Sequence, residues 1–220
     1  MDLSIKSSKY YNNSVKFSAR NPEIRFADDV VRKLNNEFLR ISSTKVETFN
    51  NAKKFPKVVS SLNENISSIR ERINFIKKSD FPMNDSLNLL LGFLKGLHRG
   101  NCGESANLAV IAAKMNGITN CKKVSLVNKA GNDFDHAIVL VDGKKPYIID
   151  AWLGFADYIP NAFQRYKKDF SHCFDFARLG DEMSILTHPL WWINRVPQEN
   201  INNLKKTYPS LLVKKTSLND

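Results

Sequence analysis

The chain has 220 residues, 42% of them hydrophobic, and carries 33 Lys and Arg against 22 Asp and Glu, a formal charge of +11. That content is enough for one sizeable core in a domain of ordinary size. No run approaches the roughly 18 consecutive apolar residues of a membrane span, and residues 1–13 lack the apolar centre of a secretory signal. The three cysteines, Cys102, Cys121 and Cys173, cannot all pair and have no CxxC spacing, so a disulfide framework, a zinc site and a redox dithiol are not expected. No metal or cofactor is called for, and a reducing, cytoplasmic compartment is the default. The basic residues are spread along the chain rather than gathered in one block, which describes a solvated basic surface. Nucleic-acid binding is compatible with that surface but not favoured by it.

In chain order, residues 1–21 are rich in Ser, Asn and Lys without a sustained period and read as a mobile tail. A single domain is expected over 22–220, divided into a helical part at 22–99, a chemistry-bearing core at 100–152 and a C-terminal part at 153–220. Phe26, Val30, Leu34 and Phe38 recur every fourth residue and Ile41 closes the stripe, which predicts an amphipathic helix. The polar stretch 42–54 breaks that period. Leu62, Ile66, Ile69, Ile73 and Ile76 then predict a second helix, with Arg70, Glu71, Arg72 and Lys77 on its opposite face. Asn84 or Asp85 can cap a third, whose inward residues are Leu87, Leu90, Leu91, Leu94 and Leu97.

The stretch Arg99-Gly100-Asn101-Cys102-Gly103-Glu104-Ser105 sets a cysteine between two glycines, ahead of a small apolar run that stops at Asn116-Gly117. Cys102 is thus expected at the N-terminus of a buried helix, where free backbone N–H groups and the helix dipole favour a thiolate. A buried structural cysteine is the competing reading. Glu104 and Ser105 fall in the first turn as partners for N–H groups, and Ser105 is not a credible nucleophile.

Beyond Gly117 the pattern turns extended. Residues 124–127, 136–141 and 147–150 predict an antiparallel meander, with turns at Gly131-Asn132 and Asp142-Gly143. Loops of about two to four residues in the second hairpin set His136 opposite Ile149, Asp150 or Ala151. A carboxylate on Asp150 can then reach the imidazole. Cysteine, histidine and aspartate in that order supply a nucleophile, a proton carrier and an orienting carboxylate.

These residues resemble a known group. The Cys-first helix, the strand Asp135-His136-Ala137-Ile138-Val139-Leu140-Val141 and the strand end Ile148-Ile149-Asp150-Ala151-Trp152 look like the transglutaminase-like branch of the papain-like cysteine enzymes. The resemblance spans residues 100–152. Added to the helical pattern of 22–99, it leads to the expectation of an α+β fold with an N-terminal helical layer, a central cysteine-bearing helix and a small antiparallel sheet, its core papain-like. It also implies Cys102 as nucleophile, His136 as general base and acid, and Asp150 as the orienting group. Peptidases, glutamine deamidases and transglutaminases belong to the branch. The arylamine N-acetyltransferases are more distant: His98-Arg99-Gly100-Asn101-Cys102 is similar to their motif, but a second glycine is missing where Asn101 stands and the chain lacks the length of their later domains.

The function these readings favour is thiol-dependent hydrolysis of an amide in a protein or peptide substrate, through a thioester on Cys102. Transfer of the acyl group to an amine, or a non-catalytic basic binding module, are the alternatives. The Cys102 N–H is the natural first oxyanion donor, with Asn101 or His98 as candidates for the second, and Trp152 as a wall of the cleft. The other aromatics beyond it, among them Tyr166, Phe170 and Phe174, read as core. His172-Cys173 is not a second dyad, since adjacent residues point apart. His188 before Pro189 reads as a turn, and residues 205–220 as loosely packed. The Ser- and Asn-rich start, the basic charge and the compact core resemble bacterial effectors delivered into a host cell without a cleaved signal.

Overall fold

The computed structural model describes residues 21–38, 56–98, 100–188 and 191–214. They form α1 (Pro22–Glu37), α2 (Pro56–Lys78), α3 (Met83–Leu97), α4 (Cys102–Met115), β1 (Cys121–Asn128), β2 (Asp133–Val141), β3 (Tyr147–Asp150), β4 (Phe155–Tyr158), α5 (Ile159–Lys168), α6 (Phe176–Leu179), β5 (Met183–Thr187) and α7 (Gln198–Thr207), joined in places by single 3-10 turns. The class is α+β, with a helical first half and an antiparallel sheet after it. The tail 1–20, Ile41, the polar stretch 42–54, Arg99 and residues 215–220 lie outside the described residues, as do the side chains of Leu62, Ile66, Lys77 and His172. No described helix is long and apolar enough to cross a membrane.

Asn21, placed by the sequence in the tail, instead caps α1: its side chain accepts from the Glu23 N–H at 2.9 Å, and Pro22 follows at the first helical position. The buried stripe of α1 runs through Ile24, Ala27, Val30, Val31 and Leu34. Phe26 is only partly buried, because a 3.6-residue repeat drifts away from any strict four-residue spacing. On α3 the cap is Pro82, not Asn84 or Asp85. The Pro82 carbonyl accepts from the N–H groups of both Asp85 and Ser86 at 3.0 Å, which starts the helix earlier. Leu97, expected inside, is exposed.

The sheet has the order β4-β3-β2-β1-β5, and every pairing is antiparallel. The meander predicted for β1 to β3 is present and continues into β4. The sequence signal missed β4 and β5 because both are short edge strands without a clean alternation. The N–H of Ala156 on β4 donates to Asp28 Oδ1 of α1 at 2.6 Å, so one edge is closed by a helix side chain.

The two faces of the sheet differ. Val139, Val141, Tyr147, Ile149 and Ala156 pack against α4 and α1 in one cluster. Val124, Leu126, Ile138, Leu140 and Ile148 pack with Phe155, Tyr166 and neighbouring aromatics in a second. Helix α4 runs through the middle of the first cluster, buried at every residue from Glu104 to Met115. Its small side chains, four alanines among them, let neighbours approach from all sides. The helix ends at Asn116, whose side-chain amide donates to Ala112 O at 2.8 Å and Leu211 O at 2.9 Å while its oxygen accepts from the Val213 N–H at 2.7 Å. Gly117 follows with φ +88°, the left-handed stop that glycine adopts without strain. The C-terminal segment is therefore tied down as far as Val213, against the expectation of loose packing, and Leu211 is buried.

Candidate active site

Cys102 is the first residue of α4, with Asn101 as N-cap. Asn101 and Glu104 form a capping box: the Glu104 carboxylate takes the Asn101 N–H at 3.0 Å and, through its other oxygen, Arg70 of α2 at 3.3 Å. The Glu104 role read from the sequence is the one observed. The bond from the third-residue N–H engages the Asn101 side-chain oxygen in the cap. The Ser105 hydroxyl is buried and unbonded among the described residues, in keeping with its dismissal as a nucleophile. The Cys102 thiol is partly exposed and donates to the carbonyl oxygen of Asp135 at 3.5 Å.

That carbonyl is presented by a bulge. Leu126 pairs with His136, but the next residue of β1, Val127, pairs with Asp133, so Phe134 and Asp135 are extra on β2. Asp135 takes a φ of +55°, a conformation costly for most side chains and better tolerated by Asp. Its N–H bonds back to Asp133 Oδ1 at 2.7 Å. The bulge turns the Asp135 carbonyl toward Cys102 directly before His136.

His136 and Asp150 meet, though not by the register expected. Val139 pairs with Ile149, Leu140 with Ile148 and Val141 with Tyr147, so the connection is five residues long, 142–146, rather than the four or fewer assumed. Extending that register sets Ile138, not His136, level with Asp150. His136 lies two residues further along the same face, a diagonal neighbour still within side-chain reach. Measured from a direct His136–Asp150 pairing the shift is two residues, which keeps both side chains on one face, whereas the Ile149 and Ala151 pairings also expected are off by odd numbers. His136 Nε2 lies 2.7 Å from Asp150 Oδ2, and both side chains are shut off from water.

Asp150 holds two more bonds. Oδ1 accepts the Leu153 N–H at 2.9 Å, and Oδ2 also accepts the hydroxyl of Tyr166 at 3.0 Å. Around the imidazole stand Trp152 at 5.3 Å between ring centroids, Phe174 at 5.3 Å and Tyr166 at 5.9 Å. Trp152 is buried at 6% exposure and covers the histidine rather than an open cleft. Tyr166 and Phe174 were assigned to the core by sequence. A tyrosine two turns into a helix carries no local mark of a partner on a distant strand.

Burial alone would push His136 toward its neutral form. The charge of Asp150 and its hydrogen bond outweigh that penalty, Cys102 adds in the same direction, and the imidazole is pushed up to about 10. Its partners therefore favour the charged form of His136, beside a sulfur at a helix N-terminus. Cys121 and Cys173 have other surroundings: burial pushes their thiols up to about 12 and about 11 respectively, with the charge of Asp150 adding to the second.

On the other side of α4, Lys123 Nζ donates to Gly103 O and Asn107 Oδ1, each at 3.1 Å, and lies 4.5 Å from the centre of the Trp191 ring. The His188 ring packs on Trp191 at 4.3 Å between centroids with a tilt of 34°, and its Nε2 lies 3.2 Å from Ser125 Oγ. This contact holds the segment after β5 against the sheet, more than a turn would require. His98 caps α3 in the left-handed region at φ +49°, with Nδ1 buried and unbonded among the described residues. No described group of His, Cys, Asp or Glu side chains could hold a metal ion. No protein-family model, no curated protein and no solved structure matches the chain.

Proposed function

We propose that the chain is a cysteine-dependent hydrolase of amide bonds, related in its core to the papain-like enzymes of the transglutaminase-like branch, with Cys102, His136 and Asp150 as its triad. The observation that carries this reading is the Cys102, His136, Asp150 line itself. Its inner pair is sealed from water and its outer sulfur is partly exposed. A structural cysteine has no need of an imidazolium on one side and a helix terminus on the other, while a thiolate nucleophile has need of both.

The chemistry follows from those positions. The Cys102 sulfur, as thiolate, attacks the amide carbonyl carbon, and the oxyanion that forms is met by the Cys102 N–H. His136 gives a proton to the departing nitrogen from the ring nitrogen not held by Asp150. The C–N bond breaks and a thioester remains. His136 then takes a proton from water as its oxygen attacks the thioester, and the carboxylic acid leaves with the sulfur restored. Asp150 stays ionised throughout and fixes the ring.

Mass spectrometry of a glutamine-containing peptide mixture incubated with the chain tests this. Expected are peptide cleavage or the mass change of amide to acid, both abolished in Cys102→Ala, and hydroxamate formation when hydroxylamine intercepts the thioester. Incorporation of added primary amine in place of water would mark the transferase. Unchanged peptides with wild-type chain, and no thioester captured, would overturn the reading.

A further inference from the structure

We infer that Tyr166 is a positioning residue for the His136–Asp150 pair, its hydroxyl fixing the rotation of the Asp150 carboxylate so that Oδ2 stays aimed at the imidazole; the role in turnover rests on the function proposed above. Asp150 is the last residue of β3, and its carboxylate can turn about the Cβ–Cγ bond unless both oxygens are held. Leu153 N–H holds Oδ1 at 2.9 Å. On Oδ2 two donors converge, His136 at 2.7 Å and Tyr166 at 3.0 Å. Without Tyr166 the donor that fixes Oδ2 would be the imidazole, the one group that changes protonation during the reaction. A hydroxyl that keeps its proton supplies a constant anchor.

The placement of Tyr166 suits that task. Its side chain is fully buried and is wedged among rings, with Phe155 at 5.6 Å and Phe174 at 5.4 Å. Burial first, and then the charge and hydrogen bond of Asp150, push its hydroxyl well above the ordinary tyrosine range, so it keeps its proton through the neutral range. Tyr166 sits on α5, whereas Asp150 and His136 sit on strands, so the bond also locks the helix to the site.

Substituting Tyr166→Phe removes the oxygen and keeps the ring, and Tyr147→Phe is the matched control, since the Tyr147 hydroxyl is buried without a partner among the described residues. The expected result is a fall in kcat of about 10- to 100-fold with KM unchanged, the scale typical of groups that hold a functional side chain from behind. In an Asp150→Ala background the same Tyr166→Phe change should have no further effect, because the group it acts through is gone. The pair is also read without turnover, through the downfield NMR signal of the His136 ring N–H that faces Asp150. That signal should be sharp in wild type and in Tyr147→Phe and broadened in Tyr166→Phe, as the freed carboxylate lets the proton exchange. A sharp, unshifted signal in Tyr166→Phe overturns the inference, as does an equal fall in kcat in both backgrounds. Should the wild-type chain turn nothing over, the function fails and the NMR signal still decides whether Tyr166 positions the pair.

Discussion

The two faces of the sheet solve different problems. The face under α4 is packed mainly with aliphatic and small residues, with rings such as Tyr147 and Phe38 among them, and carries Cys102 at the tip of its helix. The opposite face is packed with rings and carries His136 and Asp150. On the function proposed above, the first face supports a sulfur that meets solvent, while the aromatic enclosure keeps bulk water from the His136–Asp150 pair. Cys102 and His136 come together at the β2 bulge, where the sulfur lies 3.5 Å from the carbonyl oxygen of Asp135.

The division is broken most severely from the aromatic face. Replacing His136 with Ala should abolish turnover, and Asp150→Asn should leave the fold intact while lowering kcat by ~10⁴, the scale seen when a triad carboxylate is neutralised. Asp157 lies on the next strand and bonds to the Tyr158 N–H and Asn161, so Asp157→Asn should retain full activity. Were the Asp157 variant the inactive one, the triad would have to be redrawn. Reactivity separates the cysteines next. Iodoacetamide at pH 6, followed by peptide mapping, should label Cys102 on the order of 100-fold faster than Cys121, which is buried, or Cys173, which is partly exposed, both of whose thiols are pushed up.

Packing substitutions sharpen the contrast. Ile111, fully buried on α4, should cost ~2–5 kcal/mol of stability as Ile111→Ala, measured by denaturant unfolding, with activity per folded molecule unchanged. Phe174→Ala, at a partly buried ring against His136, should cost less stability and yet reduce turnover, because it admits water to the pair. The pH dependence of stability reads the same pair without turnover. The His136 value is raised from an ordinary 6.5 to about 10 on folding. Its contribution is complete below pH 6.5 and is lost as pH rises through about 10. Stability should fall as pH rises from 6.5 towards about 10, by on the order of 1 kcal/mol per unit at most. In His136→Asn that slope should be shallower.

Where the sequence was readable, the signal was local. The extent of α4, the capping role of Glu104 and the strand cores of β1 to β3 all follow from neighbours within a few residues. The pairing of His136 with Asp150 came from counting a hairpin that allowed three registers, none of them the observed one, and the two side chains still meet because they lie on one face two residues apart along the strands. What stayed hidden was long-range: Tyr166 reaching Asp150 from a helix, Asp28 closing the β4 edge, and Lys123 pinned to Gly103. The bulge at Phe134 and Asp135 was equally silent, since no glycine marks it.

Helix α4 has no solvent-facing side from Glu104 onward, and this bears on how the protein responds to heat. Many enzymes lose activity at temperatures below the melting of the fold, because the site rests on segments that loosen first. Here the sulfur begins the most enclosed helix of the described chain, and its partners sit on two central strands. The site can come apart only when the core does. Residual activity and near-ultraviolet ellipticity, followed on the same heating ramp, should therefore decline along one curve, with a single midpoint for both.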